Sequence, residues 1–409
     1  MAQTEVVAEL RHWLDERGMS QRALAAALMF NAGSLSRIIN GRSPFTEDLL
    51  RRIDDVLDTG GALLRAANRA TFADETVTAA RDSMRFASWA ATDQVDALAV
   101  DSLTYELARI ATAYVSEPPA PLFRDLVMMR DQTWRLLEGG PHPNQARELF
   151  YLGGVTLILM AHATQNLGNS MAAMQQARAA EALAVQADHG PLRGWVAGTQ
   201  ALIAEWSGQA GRAVDFAAAG MPHAPAGDHR VRLAALHARC AARAGQSATA
   251  RSALTLALEA SENAAPSSDL AAFGGILEFP ATKATYYAGS TLVLLGDFAE
   301  AERMSTAAIT AYESGPPQVR SYGDEALARV DVALARLGRT GDIDGAAEAL
   351  APVLALPVPQ RIRQIGDGLA RVQHTLTGPK LAAARPAAEL TQQIRAFAST
   401  TLDHSRKGA

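Results

Sequence analysis

SQRALAAALMFNAGSLSRIINGR, residues 20–42, reads as two short helices joined by a tight turn. Ser20 is placed to cap the first helix, whose apolar Leu24 and Leu28 share a face while Ala25 is small enough to admit a neighbouring helix. Met29 and Phe30 close the turn. Asn31 is placed to cap the second helix, with Leu35, Ile38 and Ile39 inward and Ala32, Gly33, Ser34 and Arg37 outward. Asn40 and Gly41 end it with residues that tolerate positive φ, and Arg42 follows where a phosphate could sit. Working outward, Val6 to Arg17 reads as a helix with Val6, Leu10, Trp13 and Leu14 inward, ended by Gly18. Thr46 to Leu57 reads as another, with Leu49, Leu50, Ile53 and Leu57 on one side.

Over about residues 4–65 this pattern resembles the phage-repressor-like (XRE-type) helix-turn-helix family of bacterial regulators. The resemblance implies a four- to five-helix DNA-binding domain whose second short helix enters the major groove of a double-stranded operator. It implies a phosphate contact for Gln21, base-edge positions for Ala32, Gly33 and Arg37 with Ser34 and Ser36 nearby, and backbone contacts near Asn40 and Arg42. Ser20, Arg22 and Asn31 complete the expected DNA-binding set. Ala32 and Gly33 carry no hydrogen-bonding side chain, so direct readout falls mainly on Arg37, which suits a guanine edge, and the rest on Ser34, Ser36 and DNA shape. Arginine is slightly outnumbered by Asp and Glu within residues 1–65, which predicts a modest phosphate contribution and fits a homodimer on two half-sites.

The chain has 409 residues, of which 48% are hydrophobic and 6% aromatic, favouring packed helices over sheet. A formal charge of -5 argues against a protein that coats nucleic acid or a membrane. A single cysteine, Cys240, excludes an internal disulfide and a cysteine-rich metal site, and fits the cytoplasm. No basic and apolar leader opens the chain, and the longest apolar run, residues 152–163, is too short to span a bilayer and reads as a buried helix.

Beyond residue 70 the pattern repeats as helix, glycine turn, alanine-rich helix and break. The clearest unit runs from Ala284 to Ser314 through Gly296-Asp297; others turn at Gly168-Asn169, near Gly208, at Gly245 and around Gly338 to Gly341. The turn glycines recur every 37 to 51 residues. Residues 72–140 also read as helices, one set holding Trp89, Leu103, Leu107 and Ile110 and another Leu122, Val127, Met128, Trp134 and Leu137. Over about residues 140–375 the array resembles a degenerate tetratricopeptide repeat, which implies an all-α solenoid of helical hairpins, each burying a face on the next. The expected domains are a helix-turn-helix domain at 1–70, helical linker and first hairpins at 71–140, and a ligand-binding and dimerising solenoid at 141–400.

A repressor-type domain followed by such an array is similar to bacterial regulators that sense a small molecule or peptide. The resemblance implies a signal bound on the concave face, lined by the first helix of each hairpin. The candidates are Tyr151, His162, Gln165 and Asn166, then Arg193, Trp195, Gln200 and Trp206, then Arg230, Arg232 and His237. An amide such as Asn166 can clamp a peptide backbone and an arginine a carboxylate. Trp195 and Trp206 lie eleven apart on one helical face, and core packing suits at least one of them. His162, in an apolar helix, suits a core histidine. His223, His229 and His237 match no metal-ligand spacing, so no metal and no cofactor is expected. The segment from Phe273 to Pro280, FGGILEFP, could cover the mouth of a pocket or pack as a loop on its own phenylalanines.

No phosphate-cradling glycine loop follows a strand and no nucleophile elbow appears. The paired carboxylates Asp54-Asp55 and Asp342 with Asp344 are expected at exposed turns, so an enzyme is not indicated. The alternative reading is an interaction scaffold whose array binds a partner protein, with the helix-turn-helix as a tether or dimerisation element. An enclosed groove with convergent polar groups would favour sensing, and a shallow open one the scaffold.

Overall fold

Capping and turn residues punctuate the chain where local chemistry requires them. The computed structural model describes residues 2–90, 97–262, 269–316 and 320–407; for 2–4, 69–75, 86, 88–90, 97 and 400–407 it describes the backbone alone, so the Trp89 side chain lies outside the described residues. Among the described residues there are nineteen α-helices and no strand. They fall into two compact units, residues 1–92 and 93–409.

The first unit comprises α1 (Ala2–Glu16), α2 (Gln21–Ala27), α3 (Ala32–Ile39), α4 (Glu47–Leu57) and α5 (Ala62–Ala90). Val6, Leu10, Leu14, Leu24, Ala25, Leu28, Leu35, Ile39, Leu50, Ile53, Leu57 and Leu63 form its core, with Trp13 and Phe30 packed at the edge. Arg17 closes the far end of α4 by donating to the carbonyls of Leu57 (2.9 Å) and Asp58 (2.8 Å). Arg52 donates to the Leu28 carbonyl and ties α4 to α2.

Asp54 departs from expectation. It is buried rather than at an exposed turn, and its carboxylate accepts the amides of Leu63 and Leu64, each at 2.9 Å, and the Thr59 hydroxyl. A carboxylate at the start of α5 satisfies amides that have no partner within the helix. Asp55 is exposed but lies in the last turn of α4 rather than in a connecting turn, whereas Asp342 and Asp344 are exposed at a helix start. Asp54→Ala strands three donors, two of them buried, and is expected to destabilise the unit by about 2–3 kcal/mol. A thermal melt of the variant checks this, and an unchanged midpoint would contradict it.

The second unit begins with α6 (Ala97–Ala113) and α7 (Pro119–Glu138) and continues as hairpins: α8 (Pro143–Asn166) with α9 (Ser170–Gln186), α10 (Gly190–Trp206) with α11 (Ala210–Gly220), and α12 (Asp228–Arg243) with α13 (Ser247–Glu262). Next come α14 (Ala281–Leu295) with α15 (Phe298–Ser314), α16 (Tyr322–Thr340) with α17 (Ile343–Leu354), and α18 (Arg363–Leu376) with α19 (Arg385–Lys407). Each first helix packs on the first helix of the next hairpin, so the unit is an all-α solenoid. Gly168, Gly208, Gly245, Gly296 and Gly341 all have positive φ at the hairpin turns, a conformation that costs glycine least. Gly338, by contrast, is helical and lies under the Phe298 ring.

Alanine spacing explains the tight pairing within hairpins. Ala173, Ala177, Ala180 and Ala184 line the buried face of α9, and Ala213 and Ala217 do so on α11. Cys240 is buried beside the latter pair. On α7 the buried stripe is Leu122, Leu126, Met129 and Thr133, whereas Met128 and Trp134 face solvent, 53% and 60% exposed. The stripe follows the 3.6-residue period, which Met128 and Trp134 break. No helix among the described residues is long and apolar enough to cross a membrane.

Candidate nucleic-acid interface and array cavity

The helix-turn-helix surface is built from caps. Ser20 precedes α2 in extended backbone and its hydroxyl accepts the Ala23 amide at 3.2 Å; Asn31 does the same for α3, accepting the Ser34 amide at 2.9 Å. Met29, with φ of 50°, makes the turn between them. The apolar side of α3 is buried. Ser20, Gln21, Arg22, Asn31, Ala32, Gly33, Arg37, Asn40 and Arg42 are exposed, with Ser34 and Ser36 half-buried. Arg37 donates to the Ser34 hydroxyl at 3.0 Å, and Asn40 donates to the Ser36 carbonyl at 2.8 Å and hydroxyl at 3.2 Å. These contacts orient two polar side chains along the outer face of α3.

No Asp or Glu occurs between Glu16 and Glu47, a stretch that contains Arg17, Arg22, Arg37 and Arg42. Among the described residues none of Arg22, Arg37 and Arg42 pairs with a carboxylate. The acidic residues of the segment therefore all lie outside α2, α3 and their flanking turns, a stretch that is itself cationic despite the composition.

In the second unit the first helices of successive hairpins line a partly open cavity of about 100 Å³. α18 meets α8, the Gln364 amide donating to Asn166 Oδ1 at 2.9 Å, while Asn166 donates to the Tyr114 hydroxyl at 2.8 Å. Of the sequence candidates, His162, Asn166, Trp206 and Arg232 reach this cavity. The others do not. Trp195 lies three turns from Trp206 on the same face, about 16 Å along the helix, and is core. Tyr151 is equally far from His162 and stacks on His189 at 4.6 Å. Gln200 turns to Glu181 on α9 at 2.9 Å, Gln165 is buried, and Arg193 is half-buried off the cavity. Arg230, exposed and bonded to the Ala224 carbonyl at 2.9 Å, and the half-buried His237 each precede a cavity arginine by two residues, which rotates them about 200° away.

The cavity also receives residues that sequence reasoning missed: Arg239, Lys283, Tyr286, Tyr322, Asp324 and Gln364. Lys283 is one of only three lysines in the chain, and the adjacent Tyr286 and Tyr287 are a rare aromatic pair in an aromatic-poor sequence; these were the available signals. Arg239 is neutralised by Glu205, which it grips at 2.8–3.1 Å, and its guanidinium lies 4.1 Å over the Tyr287 ring. Lys283 stands 3.4 Å from Asp324. Arg232 differs. It is 6% exposed, lies 4.1 Å over the Trp195 ring, and among the described residues bonds only to neutral oxygens, the Trp195 carbonyl at 3.0 Å and the Thr199 hydroxyl at 3.2 Å.

Burial brings Arg232 down to about 10, still charged at neutral pH. Burial, with the charges of Arg232 and Lys283, brings His162 down to about 3, so its ring is neutral and contributes no second cation. Phe273 and Phe279 both pack into core, and between them Ile276 reaches the cavity wall, so the FGGILEFP segment is part packing and part wall. No group of three or more His, Cys, Asp or Glu able to hold a metal occurs among the described residues.

Comparison with known proteins places the first unit. Residues 5–67 match the model of a helix-turn-helix domain family. No curated protein sequence matches the chain. Among the solved structures that match, two are distantly similar to it as follows. One is Bacillus thuringiensis PlcR in complex with the peptide PapR7 and DNA, 12% identical over 76% of this chain and 94% of that one, with a TM-score of 0.36. The other is a Rap protein complexed with Competence and Sporulation Factor, 14% identical over 98% and 99%, with a TM-score of 0.44.

Proposed function

We propose that the chain is a sequence-specific DNA-binding transcription regulator whose solenoid takes a small molecule or peptide as its signal, and that it works as a homodimer on paired half-sites. The observation that carries the first part is the exposed, carboxylate-free face of α2 and α3 within a matched helix-turn-helix domain. Ser20, Gln21, Arg22, Asn31 and Arg42 would position the duplex, with Arg37 reading a base edge and Ser34, Ser36 and Asn40 beside it. The convergent polar groups of the cavity support signal binding over a shallow scaffold groove. A coupling of about 1–3 kcal/mol between the two ligands would make a useful switch.

On a retained DNA site, Arg37→Ala is expected to weaken binding by about 1–3 kcal/mol and to relax preference at one base pair. Arg42→Ala is expected to weaken all sequences alike and flatten the salt dependence. A competition assay across single-base variants of the site separates these outcomes; equal behaviour of the two variants would overturn the assignment of Arg37 as the reading residue.

A further inference from the structure

The charges around the array cavity do not balance. Arg239 shares Glu205 with Arg243, Lys283 has Asp324, and Arg232 has no carboxylate beside it among the described residues. A guanidinium that is 6% exposed with no counter-ion is an expensive arrangement for a fold to keep. Its position is nevertheless specifically made: a Cβ on Gly198 would stand 2.3 Å from the Arg232 Nη1 atom, so glycine there is what lets the guanidinium lie across α10. Two of its five donors are used, by Trp195 and Thr199.

The wall around this cation is aromatic and apolar in Trp206, Tyr286, Tyr287, Leu202 and Ile276. Hydrogen bonds close a seam beside it: the Tyr322 amide donates to the Val115 carbonyl at 3.1 Å, and Gln364 and Asn166 join α18 to α8. Six residues of extended peptide span about 20 Å and would have to break that seam. A compact molecule would not.

We propose that the cavity is the site of a compact organic monoanion, a carboxylate on an aromatic or apolar body, with its charge on Arg232 and its body against Trp206 and the Tyr286–Tyr287 pair. This rests on the signal-binding reading of the array and narrows it to a ligand class. Arg232 is the cavity cation with no carboxylate bonded to it among the described residues, and a single guanidinium takes a single carboxylate. A planar guanidinium holds a carboxylate through two parallel hydrogen bonds, which a neutral amide of the same shape cannot supply.

The test uses the full chain and two probes of one shape, phenylacetate and phenylacetamide, titrated calorimetrically at equal ionic strength. The acid is expected to bind at least tenfold tighter than the amide, and Arg232→Gln is expected to abolish that preference. Equal binding of acid and amide, no binding of either, or a preference that survives Arg232→Gln would overturn the proposal. Should that variant fail to fold, a crystal structure of the unaltered chain with phenylacetate decides the same question: a carboxylate on the Arg232 guanidinium supports the site, and one elsewhere overturns it. DNA retention is a separate readout. Enriched DNA with no acid preference removes this ligand class alone, while acid preference without DNA enrichment removes the regulator reading and leaves the site.

Discussion

Replacing Glu205 by alanine is expected to destabilise the second unit by about 3–5 kcal/mol. Glu205 is 2% exposed on α10 and is the shared acceptor of two arginines of α12, Arg239 at 2.8–3.1 Å and Arg243 at 3.0 Å. Arg239 is 1% exposed, so without Glu205 its charge stays buried, with the Tyr287 and Trp206 faces and the Tyr286 hydroxyl beside it. Breaking one side of a buried pair costs more than the pair itself contributes, because the remaining ion has lost its water as well as its partner. Burial alone would raise the Glu205 carboxyl, but the two guanidinia more than offset this and hold it below the ordinary carboxylate range. Its contribution is therefore present above the unfolded value and lost as pH falls through the folded one, on the acid side of about pH 4.5. Urea unfolding at neutral pH and in acid measures both; a variant as stable as the parent at neutral pH would contradict the account.

Gly275→Ala is expected to cost about 3 kcal/mol or more, by displacing the short turns before α14 from α6. Gly275 has φ of 58°, and a Cβ there would stand 2.0 Å from the Ala111 carbonyl oxygen and 2.6 Å from the Thr112 Cα. Both obstacles are helix backbone, so a side-chain rotation cannot relieve them. Ile276 is next in the chain and part of the cavity wall, so the same substitution should open the cavity. A thermal melt together with probe binding tests this. Normal stability would mean that this segment does not rest on α6.

How much of this could be read from the chain depended on how local the cause was. The caps Ser20 and Asn31 and the left-handed glycines at 168, 208, 245, 296 and 341 act within a few residues, and each was readable. Asp54 was not, because its partners Leu63 and Leu64 lie nine and ten residues away across a turn that had first to fold. In the array, the rule that first helices line the inner surface found His162, Asn166, Trp206 and Arg232. It failed for Arg230 and His237, because helix rotation about its own axis is set by packing, which brought Arg232 and Arg239 inward instead. The meeting of α18 with α8 sums small rotations over all the hairpins, and no single segment encodes it.

The central claim is that the α2–α3 surface binds specific DNA. The most direct measurement is sequencing of genomic fragments retained by the purified full chain at stated moderate salt, beside an Arg37→Ala, Arg42→Ala variant and with and without phenylacetate. The account predicts a recurrent inverted motif that the variant loses. Retention without any common motif, or the same motif retained by the variant, would contradict it.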